Sequence, residues 1–368
     1  MTVRVWQVYL TGRRVGVDGI GSAVGTLSSL LVEAGVDARV VDGSDRELVR
    51  LLVRSVARPP SGAPQVLHLH SLFRPGHDAL AALARRTGVP YVVSPHSALA
   101  GPGLARRHRA KSAWLALAGR RELLGAEAVC CLSDREAADT LAAASGSKPV
   151  VVRNPVPADV LGARPWDVRT ARSDLVVALC RWDVRQKGLD VLVDIATEMP
   201  HVTVAVHGEQ DKNEPERTLA LRAAAPPTFR LAPPVFGAAK LDRLREVGMY
   251  VAPSRWEGLS MSLLEAMALG VPVAVSAYVA QTIPVASENL GLVLDDDPAM
   301  AAEQLAAALA DDDRRAAWSL AGRRWVLEQC DPDVVISRLS GLYEEVATAE
   351  AARSCGSRSL TRRAGTPT

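Results

Sequence analysis

The sequence predicts an α/β protein with two domains, each built on a doubly wound parallel sheet. Short apolar runs alternate with longer stretches of helical periodicity along most of the chain, and this alternation is typical of parallel sheets. A length of 368 residues is sufficient for two hydrophobic cores. A stretch rich in Pro, Gly and Arg at residues 157–173 separates the two halves, so we interpret it as a linker.

In the first half, six runs predict strands, at residues 3–10, 38–41, 65–69, 91–94, 126–132 and 149–152. A loop with glycines at 12, 16, 19 and 21 follows the first run, and we expect Ser22 to cap a helix that reaches about Ala34. Such glycines let backbone N–H groups approach an anion, although a tight turn uses them equally well. His70 and His96 fall just past strand ends, where doubly wound sheets bind ligands.

In the second half, the predicted strands are 175–179, 202–206, 229–231, 248–252 and 271–275. Helices are predicted from near Leu189, over 259–269, twice between Pro298 and about Gln329, and over 334–346. The first of these strands leads into Cys-Arg-Trp-Asp-Val-Arg-Gln-Lys-Gly at 180–188. The aspartates at 295–297 and 311–313 are predicted to be acidic caps of the helices that follow them.

Two glutamates form the most informative pattern in the chain. Glu257 lies in the loop after one strand, and Glu265 lies eight residues later inside a helix, about 12 Å further along its axis. An acid among leucines is costly to bury without a partner. Hydroxyl groups of a sugar or ribose are suitable partners, because an ionised carboxylate only accepts hydrogen bonds. The alternative interpretation is an amphipathic helix with two unrelated acids.

With the flanking Gly258 and Gly270-Val271-Pro272, this stretch resembles the E-x7-E signature of retaining GT-B glycosyltransferases of the GT4 type. Residues 94–97 (Ser-Pro-His-Ser) are similar to that family's S-P-H-G stretch. Residues 180–188 resemble its G-R-x(n)-K-G segment, with Cys180 in place of the glycine. The resemblance covers about residues 1–346.

The resemblance implies a GT-B fold, in which two Rossmann-like domains face each other across a cleft. It implies transfer of a sugar from a nucleotide diphosphate sugar, UDP- or GDP-linked, to a hydroxyl or amine with retention at the anomeric carbon. The acceptor would be a small molecule, a saccharide or a lipid-linked sugar. No metal ion or other cofactor would be needed, because helix N-termini and basic side chains stabilise the departing diphosphate.

The resemblance also assigns roles to individual residues. Arg181 and Lys187 would bind the diphosphate, as a fork and a point charge, with Arg185 as the alternative to Arg181. Glu265 would hold the ribose and Glu257 the sugar ring, and His96 would contact the sugar near its reacting carbon. The remaining expected donor contacts are Gly19, Gly21, Gly208, Gly258, Leu259 and Ser260. His70 and Lys111 are the candidates for binding the acceptor.

The predicted strands and helices, together with the family resemblance, also give domain boundaries. We expect an acceptor domain at 1–155, a linker at 156–173 and a nucleotide-sugar domain at 174–330. A helix at 331–347 would return to the first domain. Residues 348–368 are rich in Arg and poor in apolar residues, which predicts a disordered tail.

Composition limits the partners and the compartment. The net charge of +2 gives no general case for binding nucleic acid. No apolar run approaches the ~20 residues of a membrane span, and the N-terminus has no signal-peptide pattern. Five cysteines without a C-x-x-C spacing indicate reduced thiols in a cytoplasmic protein. A basic helix near 105–121 is interpreted mainly as a solvated face, and contact with an anionic membrane or a phosphorylated acceptor stays open.

Two other classes of function remain. A sugar-nucleotide epimerase of the same fold would turn over donor without an acceptor. A non-catalytic binder would bind nucleoside diphosphate without transfer. The complete set of two basic and two acidic residues favours a transferase.

Overall fold

The computed structural model describes residues 3–10, 19–58, 65–105, 108–211 and 214–363, with side chains up to residue 349. The chain forms two compact units. Unit 1 contains Met1–Pro155 together with Asp333–Thr368, and unit 2 contains Val156–Pro332.

The sheet of unit 1 has six parallel strands. They are β1 (Arg4–Val8), β2 (Asp37–Val41), β3 (Gln65–His70), β4 (Tyr91–Ser94), β5 (Ala128–Cys131) and β6 (Pro149–Val151). Their order is β2-β1-β3-β4-β5-β6, so the winding direction reverses between β1 and β3. In the register, Val8 pairs with Leu69 and His70 pairs with Ser94. The carboxyl ends of β1, β3 and β4 therefore lie side by side at the switch point, where ligands of such sheets bind.

The helices of the N-terminal part of unit 1 connect these strands. They are α1 (Gly19–Glu33), α2 (Arg46–Ala57), α3 (Pro75–Thr87), α4 (Gly101–Ala105), α5 (His108–Trp114), a π-helical turn (Leu115–Gly119), α6 (Arg120–Gly125) and α7 (Asp134–Ala143). The predicted basic helix is thus divided into several short pieces, and Arg106 and Arg107 lie outside the described residues. The indole of Trp114 packs where a side chain on Gly119 would stand, which accounts for the glycine in the π-helical turn.

Unit 2 also has a six-stranded parallel sheet. Its strands are β7 (Arg172–Leu179), β8 (Thr203–His207), β9 (Phe229–Ala232), β10 (Val247–Ala252), β11 (Val273–Val275) and β12 (Gly291–Val293), in the order β12-β11-β10-β7-β8-β9. Its helices are α8 (Ala158–Leu161), α9 (Val184–Lys187), α10 (Leu189–Glu198), α11 (Pro215–Ala224), α12 (Gly237–Glu246), α13 (Met261–Ala268), a 3-10 turn (Val279–Gln281), α14 (Pro298–Ala310) and α15 (Asp312–Cys330). Asp297 and Asp311 cap α14 and α15 through their side chains, as predicted. Strand β12 was not predicted from the sequence.

The last helix, α16 (Pro332–Arg363), packs in unit 1. Its residues Val335, Leu339 and Tyr343 share a core with Val5 and Val66 on one face of the first sheet. The helix continues to Arg363, which differs from the predicted disordered tail over residues 348–363. Residues 364–368 of that tail lie outside the described residues. No helix in the described part of the chain is long and apolar enough to cross a membrane.

Three further expectations differ from the structure. Residues 156–173 belong to unit 2 rather than to a separate linker, because the Trp166 side chain is buried and its indole donates to the Val247 carbonyl at 2.8 Å. Helix α1 begins at Gly19, so Ser22 lies within its first turn and is not the cap. His70 is the last residue of β3 and does not follow it.

Candidate active site

Arg181 and Lys187 lie in the connection between β7 and α10. Asp183 caps the short helix α9 by accepting a hydrogen bond from Gln186 N at 2.9 Å. Gly188 ends α9 with φ +64°, and the Pro253 carbonyl occupies the place where a side chain would stand. Glycine is therefore required here both by the left-handed backbone and by the close approach of the loop after β10.

Polar contacts fix that loop against α9. The Arg255 guanidinium forms two hydrogen bonds with the Asp190 carboxylate, at 2.7 and 2.8 Å. Arg255 N donates to the Gln186 carbonyl at 2.8 Å, and the Gln186 amide donates to the Trp256 carbonyl at 3.3 Å. These contacts set the Lys187 turn and the Glu257 loop side by side.

Because the Lys187 turn and the Glu257 loop lie side by side, Lys187 Nζ and Glu257 Oε1 form a buried ion pair. The two side chains are 15% and 8% exposed. Burial lowers the pKa of Lys187, and the nearby charge of Arg181 lowers it further. Arg181 itself is exposed. Two cations and one acid therefore gather at the carboxyl end of β7.

A second buried ion pair holds the other glutamate. Lys240 Nζ on α12 contacts Glu265 Oε1 on α13 at 2.8 Å. Burial raises the pKa of Glu265, and the Lys240 charge opposes this effect. Lys240 was not predicted as a site residue, because nothing in the sequence pattern of α12 indicates that its side chain pairs with Glu265, 25 positions further along the chain.

A cluster of hydroxyl groups anchors the start of α13. Ser262 donates to the Leu179 carbonyl at 2.8 Å and contacts the Tyr250 hydroxyl at 2.8 Å. Ser260 Oγ lies 3.2 Å from Ser262 Oγ. Gly258 and the buried Leu259 connect this cluster to Glu257. The helix that carries Glu265 is thereby fixed to the end of β7.

Gly208 follows β8 at the same edge of the sheet. The atom next to it is the Cys180 carbonyl, which occupies the position of a side chain. The close packing of the ends of β7 and β8 therefore leaves no room for a side chain at position 208. His207 Nδ1 lies 3.0 Å from the Pro233 carbonyl, which fixes the loop after β9.

In unit 1, the structure brings His70 and His96 together. His70 Nδ1 lies 3.0 Å from His96 Nε2. The His70 side chain is 1% exposed, and its Nε2 lies 2.6 Å from Gln7 Oε1. His70 thus lies beneath His96 with both ring nitrogens engaged, which does not suit the acceptor contact expected for it.

Unusual backbone conformations surround these two histidines. Among the described residues, five non-glycine residues have positive φ, and four of them are Ser71, Phe73, His96 and Ser97. Glu136 accepts hydrogen bonds from Ser97 N and from Leu132 N. Strained conformations that are held by their surroundings are concentrated at functional sites. The loops after β3 and β4 are therefore the candidate functional loops of unit 1.

The other residues predicted for unit 1 are placed as follows. Lys111 Nζ donates to the Gly103 carbonyl at 2.6 Å and lies 5.1 Å from the Phe73 ring centroid, so it braces α4 beside these loops. Gly19 and Gly21 are in the first turn of α1. The rest of the predicted glycine loop, at 11–18, lies outside the described residues.

Two family models match the chain. The model for glycosyl transferases group 1 matches residues 173–325, and the model for a glycosyl transferase 4-like domain matches residues 44–157. The two matches fall in unit 2 and unit 1 respectively.

Curated relatives include D-inositol 3-phosphate glycosyltransferase 1 of Catenulispora acidiphila. It is 28% identical over an alignment of 299 positions, and the match covers 75% of this chain and 71% of that enzyme. The lipopolysaccharide core biosynthesis mannosyltransferase LpsB of Rhizobium meliloti is 41% identical over 70 residues, 18% of this chain. That second match spans only 20% of the relative's length.

Solved structures share the fold over nearly the whole chain. Sucrose-phosphate synthase from Thermosynechococcus elongatus has a TM-score of 0.74 and 18% identity, covering 94% of this chain and all of its own. Anabaena HepE in complex with UDP and glucose has a TM-score of 0.69 and 15% identity, covering 93% of this chain and 99% of its own. These similarities establish the GT-B fold.

Proposed function

We propose a specific reaction for this chain, which belongs to the group 1 glycosyltransferases of the GT4 type. Members of this group use nucleotide sugars as donors. In our proposal the enzyme transfers the sugar to a hydroxyl or amine of a small molecule, a saccharide or a lipid-linked acceptor. The configuration of the anomeric carbon is retained.

The two buried lysine–glutamate pairs of unit 2 support this proposal most strongly. Each joins a flexible ammonium side chain to a carboxylate that is less than 10% exposed. A buried charge needs a partner, and a lysine can exchange one oxygen partner for another because its stem is flexible. Both pairs are therefore suited to admit a ligand that carries phosphate for the lysine and hydroxyls for the glutamate.

A nucleotide diphosphate sugar carries both kinds of group. We assign its diphosphate to Lys187 and Arg181, its sugar hydroxyls to Glu257 and its ribose hydroxyls to Glu265. Burial lowers the pKa of Lys187, and a bound diphosphate would favour the charged ammonium. Lys240, beside Glu265, becomes an additional residue of this site.

The chemical step follows from these assignments. The bond from the anomeric carbon to the diphosphate oxygen breaks, and a bond from the same carbon to the acceptor oxygen or nitrogen forms. The acceptor's proton leaves with the diphosphate. Negative charge grows on the diphosphate as the bond breaks, so Arg181 and Lys187 stabilise the transition state more than the ground state.

The positive charge for this step comes from side chains, and we propose that neither a metal ion nor a cofactor is required. Transfer is then expected to continue in the presence of EDTA. We also propose a reducing, cytoplasmic location, because Cys130, Cys131 and Cys180 are free thiols.

A panel of nucleotide sugars tests the proposed function. Thermal shift identifies the donor, because a bound ligand stabilises the folded protein by about 2.7 kcal/mol at a hundred times its Kd. The selected donor is then incubated with candidate acceptors, and the anomeric proton coupling of the product reports retention or inversion. We expect transfer with retention. Donor turnover without acceptor would instead indicate an epimerase, and binding without any turnover would indicate a non-catalytic binder.

A further inference from the structure

A continuous chain of side chains connects His96 to the last helix and continues to Ser94. Three contacts reach the helix: His96 Nε2 to His70 Nδ1 (3.0 Å), His70 Nε2 to Gln7 Oε1 (2.6 Å) and Gln7 Nε2 to Tyr343 OH (2.9 Å). Two more lead from the helix to Ser94: Tyr343 OH to His68 Nδ1 (2.6 Å) and His68 Nε2 to Ser94 Oγ (2.7 Å). The rings of His68 and His70 stack at 4.1 Å between centroids. All six residues belong to unit 1.

The two central imidazoles are neutral. Burial lowers the pKa of His70 well below its ordinary value and lowers the pKa of His68 to about 3. A neutral imidazole has one N–H donor and one acceptor nitrogen. The direction of each hydrogen bond in the chain is therefore set by its neighbour.

The Gln7 amide sets this direction. Its oxygen can only accept, so His70 carries its proton on Nε2 and accepts on Nδ1. His96 must then donate its Nε2 proton to His70. On the other side, the Gln7 amide nitrogen donates to Tyr343, whose hydroxyl donates to His68.

We propose that Gln7 and Tyr343 are positioning residues that act through His70 to hold His96 in one tautomer and one ring orientation for sugar transfer. The consequence for transfer rests on the proposed function, whereas the effect on His96 does not. Tyr343 lies on α16, more than 240 positions along the chain from His96. The last helix therefore contributes to the site through its tyrosine hydroxyl.

The substitution Tyr343→Phe tests this role. Phenylalanine cannot hold the Gln7 amide nitrogen, so the amide is free to turn over and present its nitrogen to His70. The proton of His70 would then move to Nδ1, and His96 would have to accept at Nε2. We expect kcat to fall about tenfold, since small misplacements of a reacting group are costly, with the donor KM and the nucleoside diphosphate Kd unchanged.

Tyr91→Phe is the matched control. Tyr91 is also a buried tyrosine of unit 1, and its hydroxyl donates to the Glu122 carbonyl at 2.8 Å and accepts from Arg85 at 2.9 Å. It has no part in the His96 chain. We expect both variants to lose a few degrees of melting temperature, but only Tyr343→Phe to lose kcat. Equal kcat losses in the two variants would overturn the proposal.

A double-mutant cycle separates positioning from a structural effect. If Tyr343 acts through His96, then Tyr343→Phe has no further effect on kcat in a His96→Ala background. The same fold loss in both backgrounds would show that Tyr343 acts by another route and would overturn the proposal.

Nitrogen NMR of histidine-labelled protein tests the positioning without turnover. We expect His96 to carry its proton on Nε2 in the wild type and to show both tautomers in Tyr343→Phe, with the signal assigned through His96→Gln. A His96 tautomer that Tyr343→Phe leaves unchanged would contradict the proposal. If these signals behave as expected but the wild type transfers no sugar, the proposed function fails and the positioning network stands.

Discussion

The two units handle buried polar groups in opposite ways. At the strand ends of unit 2, buried charges are paired with opposite charges, Lys187 with Glu257 and Lys240 with Glu265. At the strand ends of unit 1, the buried groups are neutral imidazoles, an amide and hydroxyls joined by directed hydrogen bonds. Charge pairs can exchange partners with a charged ligand, whereas a neutral chain can only fix direction. In our proposal, unit 2 therefore holds the diphosphate of the donor, and unit 1 orients the ring of His96.

Two buried acids of unit 1 also favour the neutral form. Burial raises the pKa of Glu122 to about 9, and the neighbouring Asp78 raises it further. Burial also raises the pKa of Glu136 to about 7, although two backbone N–H groups oppose the shift. The charge of Arg85 lowers the pKa of Glu122 but does not overcome these larger effects. Unit 1 therefore favours neutral buried groups outside the His96 chain as well.

The largest expected effect comes from the acid that holds the His96 loop. The pKa of Glu136 in the folded protein is about 7, above its ordinary value of 4.5, so the folded state binds more protons between these two values. Stability from this group is fully present below pH 4.5 and is lost as the pH rises through 7, by about 3 kcal/mol. We expect the difference in unfolding free energy between wild type and Glu136→Gln to decrease over this range in chemical denaturation. A difference that does not change with pH would show that Glu136 is an ordinary ionised acid.

The next effect concerns the ring at the end of the neutral chain. His96→Ala is expected to reduce the transfer rate by about 10²-fold, because in our proposal His96 forms a hydrogen bond to the sugar that tightens in the transition state. The affinity for nucleoside diphosphate should stay nearly the same. His201→Ala, an exposed histidine of unit 2, is the control. A His96→Ala enzyme that transfers normally, or that no longer binds the diphosphate, would remove His96 from the transfer step.

A smaller and more selective effect should separate the two glutamates. Glu265→Gln is expected to weaken binding of nucleoside diphosphate and of intact donor alike, by about tenfold, because it loses a charged contact to the ribose. Glu257→Gln should spare the diphosphate and reduce transfer. Titration calorimetry with both ligands measures this. Equal losses of diphosphate affinity in the two variants would show that the acids do not divide the donor between them.

The smallest expected effect is at Ser97, which occupies the position of the glycine in the S-P-H-G stretch that residues 94–97 resemble. Ser97 has φ +59°, a conformation that glycine adopts without strain. Its hydroxyl donates to the His96 carbonyl at 2.7 Å, so the gain is partly offset. We expect Ser97→Gly to stabilise the protein by about 0.5 kcal/mol. Ser55→Gly in the last turn of α2 should destabilise it, because glycine disfavours the helix and the hydrogen bond from Ser55 to Gln65 is lost. A loss of melting temperature in both variants would mean that the Ser97 backbone carries no relievable strain.

These two regions were not equally predictable from the sequence. Arg181, Lys187, Glu257 and Glu265 follow strand ends or stand out against an apolar helix, so local pattern, charge and the family resemblance were enough to propose them. Lys240 was missed because its pairing with Glu265 depends on how two helices pack. The three-residue β12 is too short to give a periodic signal.

In unit 1, local pattern identified His96 but not what supports it. Tyr343 has the helical spacing of a core residue, and Gln7 lies in an apolar strand. Only the packing of α16 on the sheet joins them. Residues 156–173, predicted as a linker, lie in unit 2 for a related reason. The burial of the Trp166 side chain holds a stretch of loop-like composition in that unit.

Titration of nucleoside diphosphate and of nucleoside alone into wild type, Lys187→Ala and Lys148→Ala tests the central claim most directly. The claim is that the buried charge pairs of unit 2 form the site for the nucleotide diphosphate sugar, with Lys187 on the diphosphate. Lys148 forms an exposed pair with Glu127 at 3.3 Å and serves as the control. We predict that Lys187→Ala binds the diphosphate at least about tenfold more weakly, since a charge-assisted contact contributes about 1.5–3 kcal/mol, and binds nucleoside as the wild type does. Equal diphosphate affinity in Lys187→Ala and wild type would contradict the claim.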